Sequence, residues 1–144
     1  MEYYGLILNR TFLILMTDNA LIGVKVHGLI AAEGDDPLVN IMLPTLEGDL
    51  ENPYSYISAK LREKIKDVDI TSDEILKQNR SNFRINRSEI LSARYDPKKK
   101  WGMAYYPHDG KVYIRTATRT REFIILGNQS GQEIADILNG KIAL

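Results

Sequence analysis

Residues 111–126 read Lys111-Val112-Tyr113-Ile114-Arg115-Thr116-Ala117-Thr118-Arg119-Thr120-Arg121-Glu122-Phe123-Ile124-Ile125-Leu126, with Ser130-Gly131-Gln132-Glu133 close behind. Val112, Ile114 and Thr116 alternate with Lys111, Tyr113 and Arg115, the period of a strand with one buried face. Thr118-Arg119-Thr120 turns the chain into a second strand, Glu122 to Leu126. Ser followed three residues later by Glu is the signature of a capping box. Ile134, Ile137 and Leu138 share one face of the helix it opens, and Gly140 is placed to stop that helix. A hairpin running directly into an amphipathic helix is therefore expected at this end.

Upstream, Phe83 to Ile85 and Ile90 to Tyr95 read as strand segments, broken at Asp96-Pro97-Lys98-Lys99-Lys100. Trp101 to Tyr106 follows, and Pro107-His108-Asp109-Gly110 is a strong turn signal. Near the start, Thr11 to Thr17 and Ala20 to Ala32 are apolar runs separated by Asp18-Asn19, a turn-forming pair. In the second run Ile22, Val24, Val26 and Ile30 fall on one face and Lys25 and His27 on the other. Gly23 and Gly28 predict a bulge or tight curvature.

Between these β-rich blocks lies a helical, acidic middle. Glu33 to Asp36 and Glu47 to Glu51 are acidic loops, and Leu38 to Leu43 is an apolar run whose strand character stays open. Asn52-Pro53 is a helix start, since Asn caps and Pro suits the first helical position. Tyr54, Ile57, Leu61, Ile65 and Val68 then recur at helical spacing. A shorter helix opens at Thr71, with Glu74 three residues on, and carries Ile75 and Leu76.

The chain has 144 residues, 44% hydrophobic, with 19 Lys and Arg against 19 Asp and Glu. Such a length holds one domain with a sizeable core. The balance excludes wholesale disorder, a polycation and an acidic tail. No cysteine is present, which removes disulfides, thiolate nucleophiles and cysteine-ligated zinc. The greasiest segment, Leu6 to Met16, is interrupted by Asn9, Arg10 and Thr11 and is too short to span a bilayer. The start, Met-Glu-Tyr-Tyr-Gly, lacks the basic region of a secretory signal. A cytoplasmic location is expected, with peripheral membrane attachment as the alternative.

A meander of short antiparallel strands closed by one amphipathic helix is a β-barrel or sandwich plugged at one end. On this pattern the chain resembles the pleckstrin-homology-like (PH/GRAM-type) superfamily, in particular its small bacterial members. The likeness rests on Asn9-Arg10-Thr11-Phe12-Leu13-Ile14-Leu15, Leu21-Ile22-Gly23-Val24 and Arg87-Ser88-Glu89-Ile90-Leu91-Ser92-Ala93. Asp109-Gly110-Lys111-Val112-Tyr113-Ile114 and Arg121-Glu122-Phe123-Ile124-Ile125-Leu126 complete it. The resemblance implies a mainly β (α+β) fold, residues 1–144 forming one PH-like domain with a helical insertion at 52–81. It also implies a partly open barrel or sandwich that binds lipids, peptides or proteins, and small relatives that self-associate; it does not imply an enzyme.

Charge is unevenly placed. Residues 1–79 carry 7 basic and 13 acidic side chains, residues 80–121 carry 11 and 3, and residues 122–144 carry 1 and 3. The functional reading is an anion- or lipid-binding face built from Lys98, Lys99, Lys100, Trp101, Lys111, Arg115, Arg119 and Arg121. Three lysines beside an indole suit a headgroup region, although each lysine contributes only about 1 kcal/mol there. The plainer readings are an acidic insertion lying against basic strands, a solvated turn, and a core Trp. Nucleic acid fits less well, because the neutral chain lacks the usual cationic footprint.

Catalytic motifs are absent from the sequence: no phosphate loop, no Gly-x-Ser-x-Gly elbow and no His-Glu-x-x-His. His27 and His108 form no pair by spacing, and His108-Asp109 reads as turn chemistry rather than a metal dyad. No metal or cofactor is expected. The sequence thus points to a non-catalytic binding or scaffolding module engaging protein partners as a homo-oligomer. The alternative is peripheral binding of anionic phospholipid through the basic strand-loop surface.

Overall fold

A computed structural model describes residues 1–4, 8–27, 49–57, 59–66, 69, 72–100, 103 and 106–143. Among them are seven strands: β1 (Glu2–Tyr4), β2 (Leu8–Met16), β3 (Ala20–His27), β4 (Phe83–Asn86), β5 (Ile90–Asp96), β6 (His108–Thr116) and β7 (Thr120–Leu126). The α-helices are α1 (Ala59–Ile65), α2 (Glu74–Lys77) and α3 (Gly131–Leu138), and 3₁₀ turns occupy Pro53–Tyr56 and Arg87–Glu89. The protein is mainly β. Its strands form a four-stranded sheet ordered β1-β2-β3-β4 and a three-stranded sheet ordered β5-β6-β7, with every pairing antiparallel.

The two sheets do not close into a barrel among the described residues. They meet at one edge through Met1, whose amino group donates to the Ile124 carbonyl at 2.8 Å. The Ile124 N–H returns a bond of 2.8 Å to Met1. At the opposite side the chain itself turns the corner, running from β4 through Arg87–Glu89 into β5. Arg87 holds this corner. Its N–H donates to the Asn19 carbonyl at 2.8 Å, its Nε to the Thr17 carbonyl at 3.2 Å, and its Nη1 to the Ile137 carbonyl at 2.9 Å. The last contact places a cation at the C-terminal end of α3, where the helix dipole favours it.

One core is shared by both sheets and the final helix. Phe12, Leu21, Phe83 and Ile85 from the first sheet meet Ala93, Val112, Ile114, Phe123 and Ile125 from the second, with Ala135 and Leu138 of α3 and Ile134 packed against them. Phe83 sits at its centre, edge-on to Phe12 with centroids 5.3 Å apart and stacked on Phe123 at 5.9 Å. Gly23 makes room for it: a Cβ there would fall inside the Phe83 ring.

The outer face of β3 is buried too. Ala20, Ile22 and Val24 pack under Ile75 of α2, which is fully enclosed. Asn82 fastens this contact: its Oδ1 accepts the Lys25 N–H at 2.8 Å and its Nδ2 donates to the Ile75 carbonyl at 2.7 Å. The expected grouping of Val26 with Ile22 and Val24 does not hold. Thr11 pairs with His27 and Phe12 with Lys25, so Val26 is the extra residue of a bulge, and it lines the space between the sheets. A bulge breaks strict alternation in this way. Gly28 and Ile30 lie outside the described residues.

The insertion is more broken than its periodicity predicts. Asn52 does cap, accepting the Tyr54 N–H at 3.0 Å, but the turn it starts is 3₁₀ and ends at Ile57 in extended backbone. Helix α2 (Glu74–Lys77) has no side-chain cap bond from Asp73 at its N-cap; Thr71, the expected cap, and Val68 lie outside the described residues, as does Leu38 to Leu43.

Pro107-His108-Asp109-Gly110 is not a simple turn. His108 to Gly110 open β6, with a register shift before Lys111. Gly110 takes φ +58° there, and a Cβ would strike the Asp96 carbonyl oxygen. The final helix follows its signature: Ser130 Oγ accepts the Glu133 N–H at 3.1 Å, and Gly140, at φ +72°, follows the helix end.

Candidate functional site: the basic face and the cavity between the sheets

The eight residues expected to form one anion-binding face divide into separate groups. Arg121 is a core residue. It lies beneath the Phe83 ring, 3.4 Å from guanidinium carbon to centroid, and forms a two-pronged ion pair with Glu2 at 2.5 and 2.6 Å. Both side chains are about nine-tenths buried, so Arg121 presents no charge to a surface ligand. Strand alternation puts Arg121 on the inward face with Phe123 and Ile125, and β1 supplies the carboxylate that meets it there.

Lys100 and Lys111 are spoken for on the outer face of the second sheet. Lys100 Nζ meets Glu122 at 2.6 Å and Lys111 Nζ meets Asp96 at 3.2 Å. Burial pushes the Glu122 carboxyl up, but hydrogen bonds from Lys100 and Tyr113 outweigh it and hold it below the ordinary range. The Lys98 N–H, 3.0 Å from Asp96 Oδ1, is the main influence holding the Asp96 carboxyl low, with Lys111 adding to it. Arg94, Tyr113 and Glu122 stand in register across β5, β6 and β7, and the Arg94 guanidinium covers the Tyr113 ring at 4.5 Å. The cations of this face are matched on the sheet itself.

Lys98, Lys99, Arg115 and Arg119 remain exposed. They do not form one patch. Lys98 and Lys99 follow the end of β5 beside Lys111, while Arg115 and Arg119 flank the β6–β7 turn. Lys111 and Arg115 stand four residue steps apart along β6, roughly 13 Å. Trp101 lies outside the described residues, as do Asp35, Asp36 and Glu47. Within the described insertion Asp73 meets Arg84 of the basic strands at 3.0 Å.

His108 and Asp109 are structural. His108 is buried, its Nε2 accepting the Lys100 N–H at 3.2 Å. Nδ1 therefore carries the proton and donates to the Tyr106 carbonyl at 2.9 Å. Asp109 Oδ1 accepts the Tyr95 hydroxyl at 2.5 Å and its Oδ2 accepts the Gly131 N–H at the start of α3 at 2.8 Å. That carboxylate ties β5, β6 and α3 together and pushes the Tyr95 hydroxyl up to about 12. Among the described residues no group of three His, Asp or Glu could hold a metal ion, and no helix is long and apolar enough to cross a membrane.

A cavity of about 230 Å³ lies between the sheets. Its walls come from β2 and β3 on one side and β6, β7 and α3 on the other, with Pro53, Tyr54 and Gln129 at the rim. No Asp, Glu, Lys or Arg contributes to its lining among the described residues. Thr11 does, and its hydroxyl is buried without a hydrogen-bond partner among the described residues. Sequence reading missed this feature, since a void has no local signal. The odd hydroxyl in Thr11-Phe12-Leu13-Ile14-Leu15 was its one visible trace.

Two exposed apolar side chains flank a further contact. Asn139, just past α3, accepts the Ala93 N–H on Oδ1 at 2.9 Å and donates from Nδ2 to the Ala93 carbonyl at 2.7 Å. Leu91, two residues before Ala93 and 59% exposed, and Ile142, three after Asn139 and 47% exposed, lie on either side of it in sequence. Comparison with protein-family models, curated proteins and solved structures returned no match to this chain.

Proposed function

We propose that the chain is a non-catalytic binding module of pleckstrin-homology-like layout that engages protein partners, including a second copy of itself, across the edge formed by β5 and the end of α3. The layout is supported by four plus three antiparallel strands followed by one helix packed into the shared core. The observation that carries the surface is the exposure of two large apolar side chains, Leu91 on β5 at 59% and Ile142 just past α3 at 47%, on segments that Asn139 joins to Ala93. Leu91 sits where the β5–β6 register shifts, so the bulge turns a large apolar side chain outward. Asn139 already occupies the backbone groups of Ala93 at this edge, so contact there runs through side chains and not through a continued sheet.

Light scattering over a dilution series tests this. A mass above that of one chain, falling with dilution and abolished by Leu91→Glu with Ile142→Glu, is expected. A single-chain mass at every concentration refutes self-association.

The second reading is peripheral binding of anionic phospholipid, and the exposure of Lys98 and Lys99 favours it. Without Arg121, and with Lys100 and Lys111 paired, few cations are left, which predicts weak attachment. Sedimentation with anionic and neutral vesicles separates the readings: salt-sensitive binding lost in Lys98→Ala with Lys99→Ala supports it, and equal behaviour with both vesicles removes it.

A further inference from the structure

We propose that the cavity between the sheets binds a neutral alkyl ligand of medium chain length that carries one hydrogen-bonding oxygen, received by the hydroxyl of Thr11. Thr11 is 2% exposed, lines the cavity, and its Oγ1 has no partner among the described residues. Buried hydroxyls are normally hydrogen-bonded, because a buried unmet polar group is costly. An unmet hydroxyl in the wall of a mainly apolar space matches a ligand that brings its own donor or acceptor.

The remaining chemistry of the wall sets the ligand's character. Ile14, Val26, Ile134 and Leu138 supply hydrocarbon, and the rim amide Gln129 is already used, its Nε2 donating to the Leu126 carbonyl at 2.7 Å. The described lining holds no acidic or basic side chain. Met1 also lines the space, but its amino group donates to the Ile124 carbonyl at 2.8 Å and burial pushes its pKa down to about 5. At neutral pH a carboxylate or ammonium head would therefore lose its hydration without a counter-charge. A neutral hydroxyl or carbonyl pays far less. Size follows from volume: an apolar cavity of roughly 150 Å³ takes up benzene, so one of about 230 Å³ holds on the order of nine carbon-sized atoms by the same ratio. The position of Thr11 explains why the hydroxyl is available. It stands at the β2–β3 register shift opposite the bulged Val26, and both side chains line the cavity.

The test uses the full chain titrated with 1-octanol, with octanoate at neutral pH as the charged probe and toluene as the apolar probe without a head. Calorimetry together with methyl resonances reads the site. Saturable one-to-one binding of 1-octanol is expected, with the methyls of Ile14, Val26 and Leu138 shifted and octanoate bound at least tenfold more weakly. Thr11→Val should weaken 1-octanol about fivefold, the worth of one net hydrogen bond, and leave toluene unchanged. Val26→Phe should abolish binding of both by filling the space; Thr11→Val, which keeps the shape, serves where that variant does not fold. Absence of saturable 1-octanol binding to the parent chain overturns the proposal. So does equal 1-octanol affinity in Thr11→Val, or octanoate binding as tightly as 1-octanol.

Discussion

Glu2 and Arg121, 119 residues apart in the chain, form a two-pronged ion pair enclosed beneath the ring of Phe83. The pair ties the first strand to the last and sits against the aromatic centre of the core. Breaking one side of such a pair leaves a buried charge unmet, whereas removing both leaves only a packing change. Glu2→Gln and Arg121→Met should each cost about 3–5 kcal/mol in urea unfolding. The double variant Glu2→Met with Arg121→Met should cost clearly less than the sum of the singles. Additive losses would show that the charges do not act as a pair.

The aromatic centre depends on a missing side chain. A Cβ at Gly23 would occupy the Phe83 ring, so Gly23→Ala must displace that ring. Overpacking of this kind costs about 1–3 kcal/mol. Thermal melting should show that loss, and Phe83→Leu should hurt the Gly23→Ala background less than it hurts the parent.

Thr11 carries a stability signature independent of any ligand. Its buried hydroxyl has no partner among the described residues, so the empty protein bears the desolvation cost of that group. Thr11→Val should stabilise the ligand-free chain by about 1 kcal/mol. A destabilised variant would mean that the hydroxyl is satisfied.

The Tyr95–Asp109 bond governs the alkaline limb of stability. The folded chain holds the Tyr95 hydroxyl up at about 12, above its ordinary 10.0, chiefly through the hydrogen bond to Asp109. A raised acid contributes stability that is complete below the unfolded value and is lost as pH climbs through the folded one. Stability should therefore fall between about pH 10 and 12, and Asp109→Asn should bring the tyrosine absorbance titration back towards the ordinary value.

Asp96 acts at the opposite limb. Its carboxyl is held low by the Lys98 N–H and by Lys111. A depressed carboxyl contributes stability that is present above the unfolded value and disappears as pH falls through the folded one. Asp96→Asn should flatten the acid side of the pH–stability profile while leaving neutral Tyr95 absorbance untouched.

Local pattern carried the strands and the final helix well. Val112 and Ile114 do face the core, Asp18-Asn19 does link β2 to β3, and Ser130 does cap. Where reading along the chain failed, a distant residue decided the outcome. Arg121 looked like a surface cation until Glu2 met it across the sheets. His108-Asp109-Gly110 looked like a free turn, yet Asp109 answers Tyr95 and Gly131. Val26 left its expected face because the bulge opposite Thr11 shifted the register. The cavity is a property of how two sheets and a helix fail to fill a space, and no single segment encodes it.

The amide of Asn139 stands where a neighbouring peptide group would, answering both hydrogen-bonding atoms of Ala93. Native copies accordingly find that rung of the ladder taken. Once the last helix peels away, the rung is vacant and templates a foreign strand. Asn139→Ala should accordingly aggregate on mild warming well before its fold is lost, and by a route that dilution of the native chain does not reverse.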